Sequence, residues 1–208
     1  MKRMAMMLCV IVAALLLVQV PAKAQFGIYG GVALPMGDFG DEKKGAAIMG
    51  FGGGLEYNMS LPALPIGWVT SISGAYNDLE TKSLSEWYGS TLDYTPWITV
   101  WPMTGVRVSV PVFPVYGQVQ IGVVFALAPE FEVPQGNYKV TTKADPAGAI
   151  GFSIGAGAGF GPLKIFARYM SGEPEFEFET KGMPTVPSEK YKAKQQISVV
   201  LLTVGLEF

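Results

Sequence analysis

The most regular feature of the chain is the alternation of apolar positions with polar or glycine positions over short segments. Between residues 115 and 127 every odd-numbered position is apolar or glycine, while Tyr116, Gln118 and Gln120 stand between them. Residues 149–160 alternate in the same way. Because successive side chains of a β-strand point to opposite faces of the sheet, this pattern predicts strands with one apolar face. No segment shows convincing helical periodicity.

Glycine, proline and polar clusters divide the chain into eight predicted strands. They cover residues 26–34, 47–57, 68–77, 96–110, 115–127, 149–160, 163–171 and 196–208. Several reach the ~9–11 residues that a tilted strand needs to cross a bilayer.

The connections between these strands alternate in length. The long, polar ones are 35–46, 78–95, 128–148 and 172–195, and those between are tight turns or, at 58–67, a proline-rich segment. Short turns at one end and long loops at the other are typical of outer-membrane barrels. The sequence therefore predicts an all-β, eight-stranded antiparallel transmembrane up-and-down β-barrel. Both termini and the short turns would be periplasmic, and the four long loops would be outside the cell.

The charges within the strands follow the same division of faces. All of them stand at the alternating positions that belong to the polar face of their strand: Glu56, Arg107, Lys164, Arg168 and Glu207. An arginine or lysine facing lipid at the bilayer midplane would cost ~2–4 kcal/mol. A soluble barrel with an apolar interior would instead enclose all of these charges. We therefore expect a charge network inside the lumen.

A narrow eight-stranded barrel has room inside for little more than side chains. Large residues with inward parity include Tyr29, Trp101, Met103 and Phe166. Glycines of strand 149–160 and of the run 50–54 would make space for them. These features predict a plugged lumen.

Residues 1–24 have the three parts of a secretory signal peptide. Lys2 and Arg3 precede an uncharged apolar stretch, and Ala22-Lys23-Ala24 is a cleavage pattern before Gln25. The mature barrel would then span residues 25–208. An N-terminal membrane anchor is the alternative, since the apolar stretch approaches the ~17 residues that a helix needs to span a bilayer.

The amino-acid composition argues against several classes of function. Removal of the signal peptide leaves 12 basic and 17 acidic residues, a net charge of −5, which argues against nucleic-acid binding. Histidine is absent, and the single cysteine, Cys9, lies in the signal peptide. Triads that depend on histidine and thiolate or histidine metal sites are thereby excluded. We expect no catalytic residues, no metal and no cofactor.

The last long loop contains alternating charges that predict a hairpin. Its acidic and basic positions are Glu175, Glu177, Glu179, Lys190, Lys192 and Lys194. A turn about residues 181–188 places Glu179 opposite Lys190 and Phe178 opposite Tyr191, and the same register continues to Ala167 opposite Leu202 and Leu163 opposite Leu206. A carboxylate row that binds Ca²⁺ or bridges lipopolysaccharide is the alternative.

Two other loops contain notable patterns. Residues 130–133 and 138–141 flank Pro134-Gln135-Gly136-Asn137, which predicts a smaller hairpin. Trp87, Tyr88 and Tyr94 form either a recognition surface or part of an interfacial aromatic girdle.

The glycine-rich first strand Phe26-Gly27-Ile28-Tyr29-Gly30-Gly31-Val32, the turn-like residues 34–39 and the final strand ending in Phe208 resemble the small outer-membrane β-barrels of OmpX, OmpA-barrel and OmpW type. The resemblance implies a Gram-negative outer membrane, with its lipids and lipopolysaccharide as surroundings. It also implies insertion by the barrel-assembly machinery, which would read Val204, Leu206 and Phe208. It implies no catalytic residue.

Three functions remain open at this point. The first is a non-enzymatic surface barrel with a plugged lumen, whose loops stabilise the envelope or make partner or adhesive contacts. The second is an OmpW-like conduit for small hydrophobic molecules, against which the inward charges count. The third is a lipid-modifying enzyme without histidine, for which the sequence offers no constellation of residues.

Overall fold

The computed structural model describes residues 23–61, 64–81, 93–135, 138–181 and 189–208. These residues form one 3-10 turn, Gly37–Phe39, and thirteen strands. The strands are β1 (Lys23–Pro35), β2 (Gly50–Ser60), β3 (Ile66–Asn77), β4 (Asp93–Tyr94), β5 (Trp97–Ser109), β6 (Val115–Leu127), β7 (Phe131–Gln135), β8 (Tyr138–Ala144), β9 (Ala147–Phe160), β10 (Leu163–Gly172), β11 (Glu175–Lys181), β12 (Glu189–Lys194) and β13 (Ile197–Glu207). None of the described residues belongs to a helix long and apolar enough to span a membrane.

Eight of these strands close into an antiparallel barrel in the order β1-β13-β10-β9-β6-β5-β3-β2. The predicted fold is therefore confirmed, and most strand boundaries differ from the predicted ones by only a few residues. One larger difference concerns Ala47, which was assigned to the second strand. It makes only an isolated bridge to Leu79, and β2 begins at Gly50.

The barrel closes where the first strand pairs with the last. Phe26 N donates to Phe208 O at 3.0 Å, and Phe208 N donates to Phe26 O at 2.9 Å. Strand β1 begins at Lys23, so the predicted cleavage before Gln25 would shorten β1 without touching this pair. The signal peptide remains a prediction, because residues 1–22 lie outside the described part of the chain.

The two ends of the barrel differ as the connection lengths predict. The turns after β2, β5 and β9 lie at the end of the barrel where β1 begins and β13 ends, which we call the termini end. The four longer connections lie at the opposite end, the loop end. The turn between β9 and β10 contains only Gly161 and Pro162. Gly161 has a φ of +65°, in a region that other residues rarely adopt.

The outer wall is an apolar belt. Along β9, Ile150, Phe152, Ile154 and Phe160 are all more than half exposed. Exposed aromatic rings mark both edges of the belt: Phe26, Tyr57, Trp68 and Phe160 toward the termini end, and Phe51, Tyr76, Phe125 and Phe152 toward the loop end. At ~3.3 Å per residue and the usual strand tilt, the stretch from Ile150 to Phe160 spans roughly the 25 Å of a membrane barrel's apolar band.

The loops form a second sheet that the sequence did not predict as a unit. Its five strands, in the order β12-β11-β8-β7-β4, come from three different loops. The sequence predicts the β11–β12 hairpin and the β7–β8 hairpin, but as two separate units. In the second of these, β7 continues through Pro134 and Gln135, which were assigned to the turn, and the tip at 136–137 lies outside the described residues.

The predicted register of the last hairpin is the observed one. Glu179 pairs with Lys190 and Glu175 with Lys194, and the same register continues in the barrel to Leu163 opposite Leu206. Gln195 N donates to Pro174 O at 3.1 Å, so the register passes through this junction without a bulge. Strands β10 to β13 therefore form one long hairpin that extends beyond the barrel.

Disulfide cross-linking tests this register. Cysteines that replace Phe178 and Tyr191 should cross-link efficiently, since directly opposed residues have Cα atoms ~4.5–5.5 Å apart. The matched controls pair a cysteine at Phe178 with one at Lys190 or Lys192, whose side chains point to the other face of the sheet. Preferential cross-linking of either control pair, measured by mass shift after oxidation, would contradict the register.

Candidate functional site

The five charged side chains predicted to face the lumen meet in the half of the barrel nearer the termini end. Arg107 bridges the two carboxylates, with Nη2 on Glu56 Oε1 and Nη1 on Glu207 Oε1 at 2.9 Å. Arg168 Nη2 lies 2.7 Å from Glu56 Oε2, and Lys164 Nζ lies 2.6 Å from Glu207 Oε2. The result is a continuous chain of ion pairs across the interior, which we call the lumen network.

The lumen network is enclosed. The side chains of Glu56, Arg107, Arg168 and Glu207 are at most 10% exposed, whereas that of Lys164 is 24% exposed. Charges in such surroundings interact more strongly than in water and cost more to leave unpaired. Lys164 therefore marks the solvent side of the network, toward the termini end.

Neutral polar side chains also accept hydrogen bonds from the arginines, although the buried Arg168 Nε has no partner among the described residues. Arg168 Nη1 donates to Ser73 Oγ at 2.9 Å and to Ser71 Oγ at 3.1 Å. Gln118 accepts from Arg107 Nε at 3.3 Å and donates to Glu56 Oε2 at 3.2 Å. The network has one more cation than carboxylates, and these dipoles solvate the excess.

The role of these neutral groups was not predicted from the sequence. Gln118 and Gln120 had been assigned to the inward face of their strand but given no partner. In the structure Gln120 Oε1 accepts from Ser153 Oγ at 3.2 Å, and its Nε2 donates to Ser71 Oγ at 3.1 Å. The only signal in the sequence was that these glutamines alternate with apolar residues, which places them on the inner face. Alternation shows which face a residue lies on but not which residue it meets across the barrel.

Aromatic rings fill the space beside the network. Tyr116 stacks on Phe166 with ring centroids 5.6 Å apart, and the Arg107 guanidinium lies 4.2 Å from the centre of the Tyr116 ring. The strand between these two residues, β9, provides glycine at both contact points. A Cβ on Gly157 would lie 2.6 Å from Tyr116 Cζ, and one on Gly155 would lie 2.7 Å from Phe166 Cζ. These glycines therefore make the room that the sequence predicted.

A small cavity remains at the termini end of the interior. Its volume is about 20 Å³, and Tyr29, Glu56, Tyr116 and Lys164 are among its lining residues. A space of this size holds roughly one water molecule.

The half of the interior nearer the loop end is mostly apolar, although a few small polar side chains are buried there as well. Its largest buried side chains within the strands are Trp101, Met103, Met170 and Leu201. Trp101 retains a partner for its indole nitrogen, which donates to Thr99 Oγ1 at 2.9 Å. This layer packs against the ion-paired layer below it, so two chemically different layers fill the barrel.

Loop residues cap the apolar layer. Phe39 of the 3-10 turn meets Trp97 edge to face at 5.3 Å, and Trp97 meets Phe176 of β11 at 5.7 Å. Trp97 Nε1 also donates to Gly45 O at 2.9 Å. The first long loop was predicted to be polar and exterior, and this is wrong for Phe39, which is fully buried. We call these three rings the aromatic cap.

The charged rows of the last hairpin form ion pairs, but along diagonals of the hairpin. Lys190 Nζ lies 3.2 Å from Glu177, and Lys192 Nζ lies 3.8 Å from Glu175. Each of these glutamates is two residues along β11 from the glutamate directly opposite the lysine. The hydrogen bond to Glu177 raises the pKa of Lys190, and the bond from Lys181 lowers the pKa of Glu179. Exposed pairs of this kind contribute ~0–1 kcal/mol each. Within the described ranges no three metal-ligating side chains cluster.

The remaining predicted residues lie on the outer wall, in the loop sheet or outside the described part of the chain. Val204, Leu206 and Phe208 project from the outer wall and are 45–68% exposed; their role in assembly stays a prediction. Tyr94, predicted to be an exposed loop residue, is half-buried in β4. Trp87 and Tyr88 lie outside the described residues.

Removal of the carboxylate that joins both arginines should destabilise the barrel strongly. We expect Glu56→Gln to lower the free energy of unfolding by about 3–5 kcal/mol, because it leaves the buried Arg168 without a carboxylate partner. Glu177→Gln, which breaks an exposed pair, should change it by less than about 1 kcal/mol. Urea unfolding in lipid vesicles measures both. Equal effects of the two changes would contradict a tightly packed network.

A methyl group on the inner wall should be costly where a ring lies against it. We expect Gly157→Ala to destabilise the barrel by about 1–3 kcal/mol, because Tyr116 and the backbone would have to move. Gly117→Ala is the matched control, since its Cβ would point outward with its nearest neighbour 3.8 Å away. The same unfolding experiment tests this pair, and a control as destabilised as Gly157→Ala would contradict it.

Comparisons with known proteins agree with this architecture. No protein-family model matches the sequence, and no curated protein sequence is significantly similar to it. Among solved structures, the chain is similar to a major outer membrane protein from Thermus thermophilus (TM-score 0.57, 14% identity, 89% of this chain and 100% of that one). It is also similar to OprG from Pseudomonas aeruginosa (TM-score 0.55, 13% identity, 90% of this chain and 97% of that one). A third similar structure is Ail, the attachment invasion locus protein of Yersinia pestis (TM-score 0.55, 12% identity, 89% of this chain and 99% of that one). The Thermus protein and OprG are named as outer-membrane proteins, in agreement with the predicted location, and the chain has the fold of the small outer-membrane β-barrels.

Proposed function

We propose that the chain is a non-enzymatic outer-membrane barrel whose lumen is closed and whose loop end makes the contacts with the envelope or with a partner. The observation that carries this proposal is the continuous chain of ion pairs across the interior, from Lys164 through Glu207, Arg107 and Glu56 to Arg168. Ion passage would require separation of buried charges at a cost of several kcal/mol.

The apolar layer closes the lumen a second time. Trp101 and Met170 are fully buried between the lumen network and the aromatic cap. A hydrated ion that passed the network would meet a layer with few polar groups to replace its water shell. The two layers together favour a structural or binding role over diffusion of polar solutes.

The outer wall supports the membrane location. Its exposed apolar belt, edged by rings such as Trp68 and Phe125, fits the lipid core of an outer membrane. Outer-membrane lipids and lipopolysaccharide would then surround the belt and the base of the loops. Insertion would depend on the barrel-assembly machinery, with Val204, Leu206 and Phe208 as its signal.

The proposal of a non-enzymatic role rests on the side-chain chemistry available. The whole sequence contains no histidine, and its one cysteine is Cys9. The strand carboxylates Glu56 and Glu207 are held in ion pairs and are not free to act as bases. The solved barrels with similar folds include a protein whose name describes attachment and invasion, which is consistent with a surface contact role.

A conduit for small hydrophobic molecules is the second candidate. In its favour, the interior toward the loop end is mostly apolar, and a shallow groove of about 850 Å³ runs over small outer-wall residues such as Gly117, Ala156 and Ala167. Against it, Trp101 and the aromatic cap fill the space through which such a molecule would pass. This function would require these rings to move.

Conductance measurements test the closed lumen. In planar bilayers we expect the refolded wild-type barrel to give no reproducible channel steps. Removal of the central pair together with the largest side chain of the apolar layer, in Glu56→Ala/Arg107→Ala/Trp101→Ala, should produce a measurable leak, since it opens a gap in both layers. The matched control Glu177→Ala/Lys190→Ala removes a pair from the loop sheet and should remain silent.

Large steps from the wild-type barrel would contradict the closed lumen. Uptake of an apolar dye such as N-phenyl-naphthylamine by cells that produce the barrel tests the conduit. We expect no increase over cells with an empty vector, and an increase that Trp101→Ala enlarges further would favour the conduit.

A further inference from the structure

A larger cavity lies at the loop end, outside the barrel lumen. Its volume is about 250 Å³, and it lies between the first long loop and the loop sheet. Its walls are mostly apolar and include Leu79, Trp97, Pro129, Phe131, Phe178 and Ala193. None of the residues that form the ion-paired layer lines it. The cavity is therefore separate from the site described above.

The floor of this cavity is closed. Trp97 is 5% exposed, is held by its hydrogen bond to Gly45 O at 2.9 Å and packs against Phe39 and Phe176. A molecule in the cavity would rest on the aromatic cap and would not enter the lumen. The cavity thus has the form of a binding pocket and not of a channel entrance.

The rim of the cavity is cationic on two sides. Lys43 comes from the first loop and Lys194 from the end of β12. Among the described residues, neither side chain forms an ion pair, whereas the neighbouring Lys44 is held by Asp38 at 2.7 Å. One acidic side chain, Glu42, also lies at the rim. Three lysines and one glutamate thus line a mostly apolar cavity, and this excess of positive charge favours a ligand that is apolar at one end and anionic at the other.

The volume limits the size of the ligand. At the ~30 Å³ that each water molecule occupies in the liquid, the cavity equals about eight water molecules. A methylene group is of similar size, so the apolar part of a ligand would contain about eight to ten carbon atoms. A lipid with two long chains would not fit.

We propose that this cavity binds a single-chain amphipathic anion, represented by a free medium-chain carboxylate. The chain would lie against Trp97, Phe131 and Phe178, and the carboxylate would accept hydrogen bonds from Lys43 and Lys194 at the rim. This inference goes beyond the proposed function, because binding on top of the aromatic cap does not depend on whether the lumen conducts.

Equilibrium dialysis of labelled decanoate against the barrel in phosphatidylcholine nanodiscs tests the proposal. Empty nanodiscs give the background from partitioning into lipid. We expect saturable binding of one decanoate per barrel above this background. Lys43→Gln/Lys194→Gln should weaken it about ten-fold or more through loss of charge-assisted hydrogen bonds. Ala193→Phe, which fills the cavity, should abolish it.

Two controls separate this site from general attraction to the loops. Lys190→Gln removes an exposed lysine of the same hairpin that does not line the cavity, and it should leave binding unchanged. Decanol, with the same chain and no charge, should bind at least ten-fold more weakly than decanoate to the wild type. Circular dichroism and the heat-dependent shift in gel mobility confirm that each variant folds.

Three results would overturn the proposal. The first is that decanoate shows no saturable binding above the background of empty nanodiscs. The second is that decanoate still binds to a folded Ala193→Phe barrel. The third is that Lys190→Gln loses as much affinity as the Lys43→Gln/Lys194→Gln variant. Equal affinity for decanol and decanoate would refute the anionic half of the proposal. None of these results depends on conductance, so the closed lumen stands or fails separately.

Discussion

The structure depends on one constraint, which is that a charge enclosed within eight strands must meet an opposite charge inside the same narrow space. Arg107 of β5 satisfies it by bridging Glu56 of β2 and Glu207 of β13. A slip of one residue in any of these strands would turn its charge toward lipid and leave its partner unpaired. The ion pairs therefore hold strand register as well as interior packing.

The interior combines two kinds of packing that respond differently to their surroundings. Around Arg168, stability comes from charge pairing supported by hydroxyl and amide dipoles, and little salt or water reaches it. Around Trp101, stability comes from close contact among apolar side chains. Loss of one layer leaves the other in place, because they share few side chains. The aromatic cap joins the apolar layer to the loop sheet and so couples the loops to the barrel.

Much of this architecture could be predicted from the sequence because membrane barrels obey a simple rule of parity. The alternation that places Val119 outside and Gln118 inside defines face, strand and register together, and the charged rows around Glu177 and Lys192 define the last hairpin. What alternation cannot show is which residues meet across the barrel or between loops. Phe39 is a lone aromatic residue in a polar loop without periodicity, and nothing near it marks it as buried. The pairing of β8 with β11, with Lys143 opposite Glu179, joins segments from different loops and was missed for the same reason.

The pairing of Phe26 with Phe208 has a consequence for the order of folding. The strands that close the barrel are the most distant in sequence, so the entropy cost of joining the chain ends falls on this contact, whereas every other neighbouring pair in the wall is local or nearly so. Until that contact forms, β1 and β13 each present an unpaired edge, and an open edge readily pairs with another chain. The closing step thus sets both the slowest stage of folding and the period of greatest risk of aggregation.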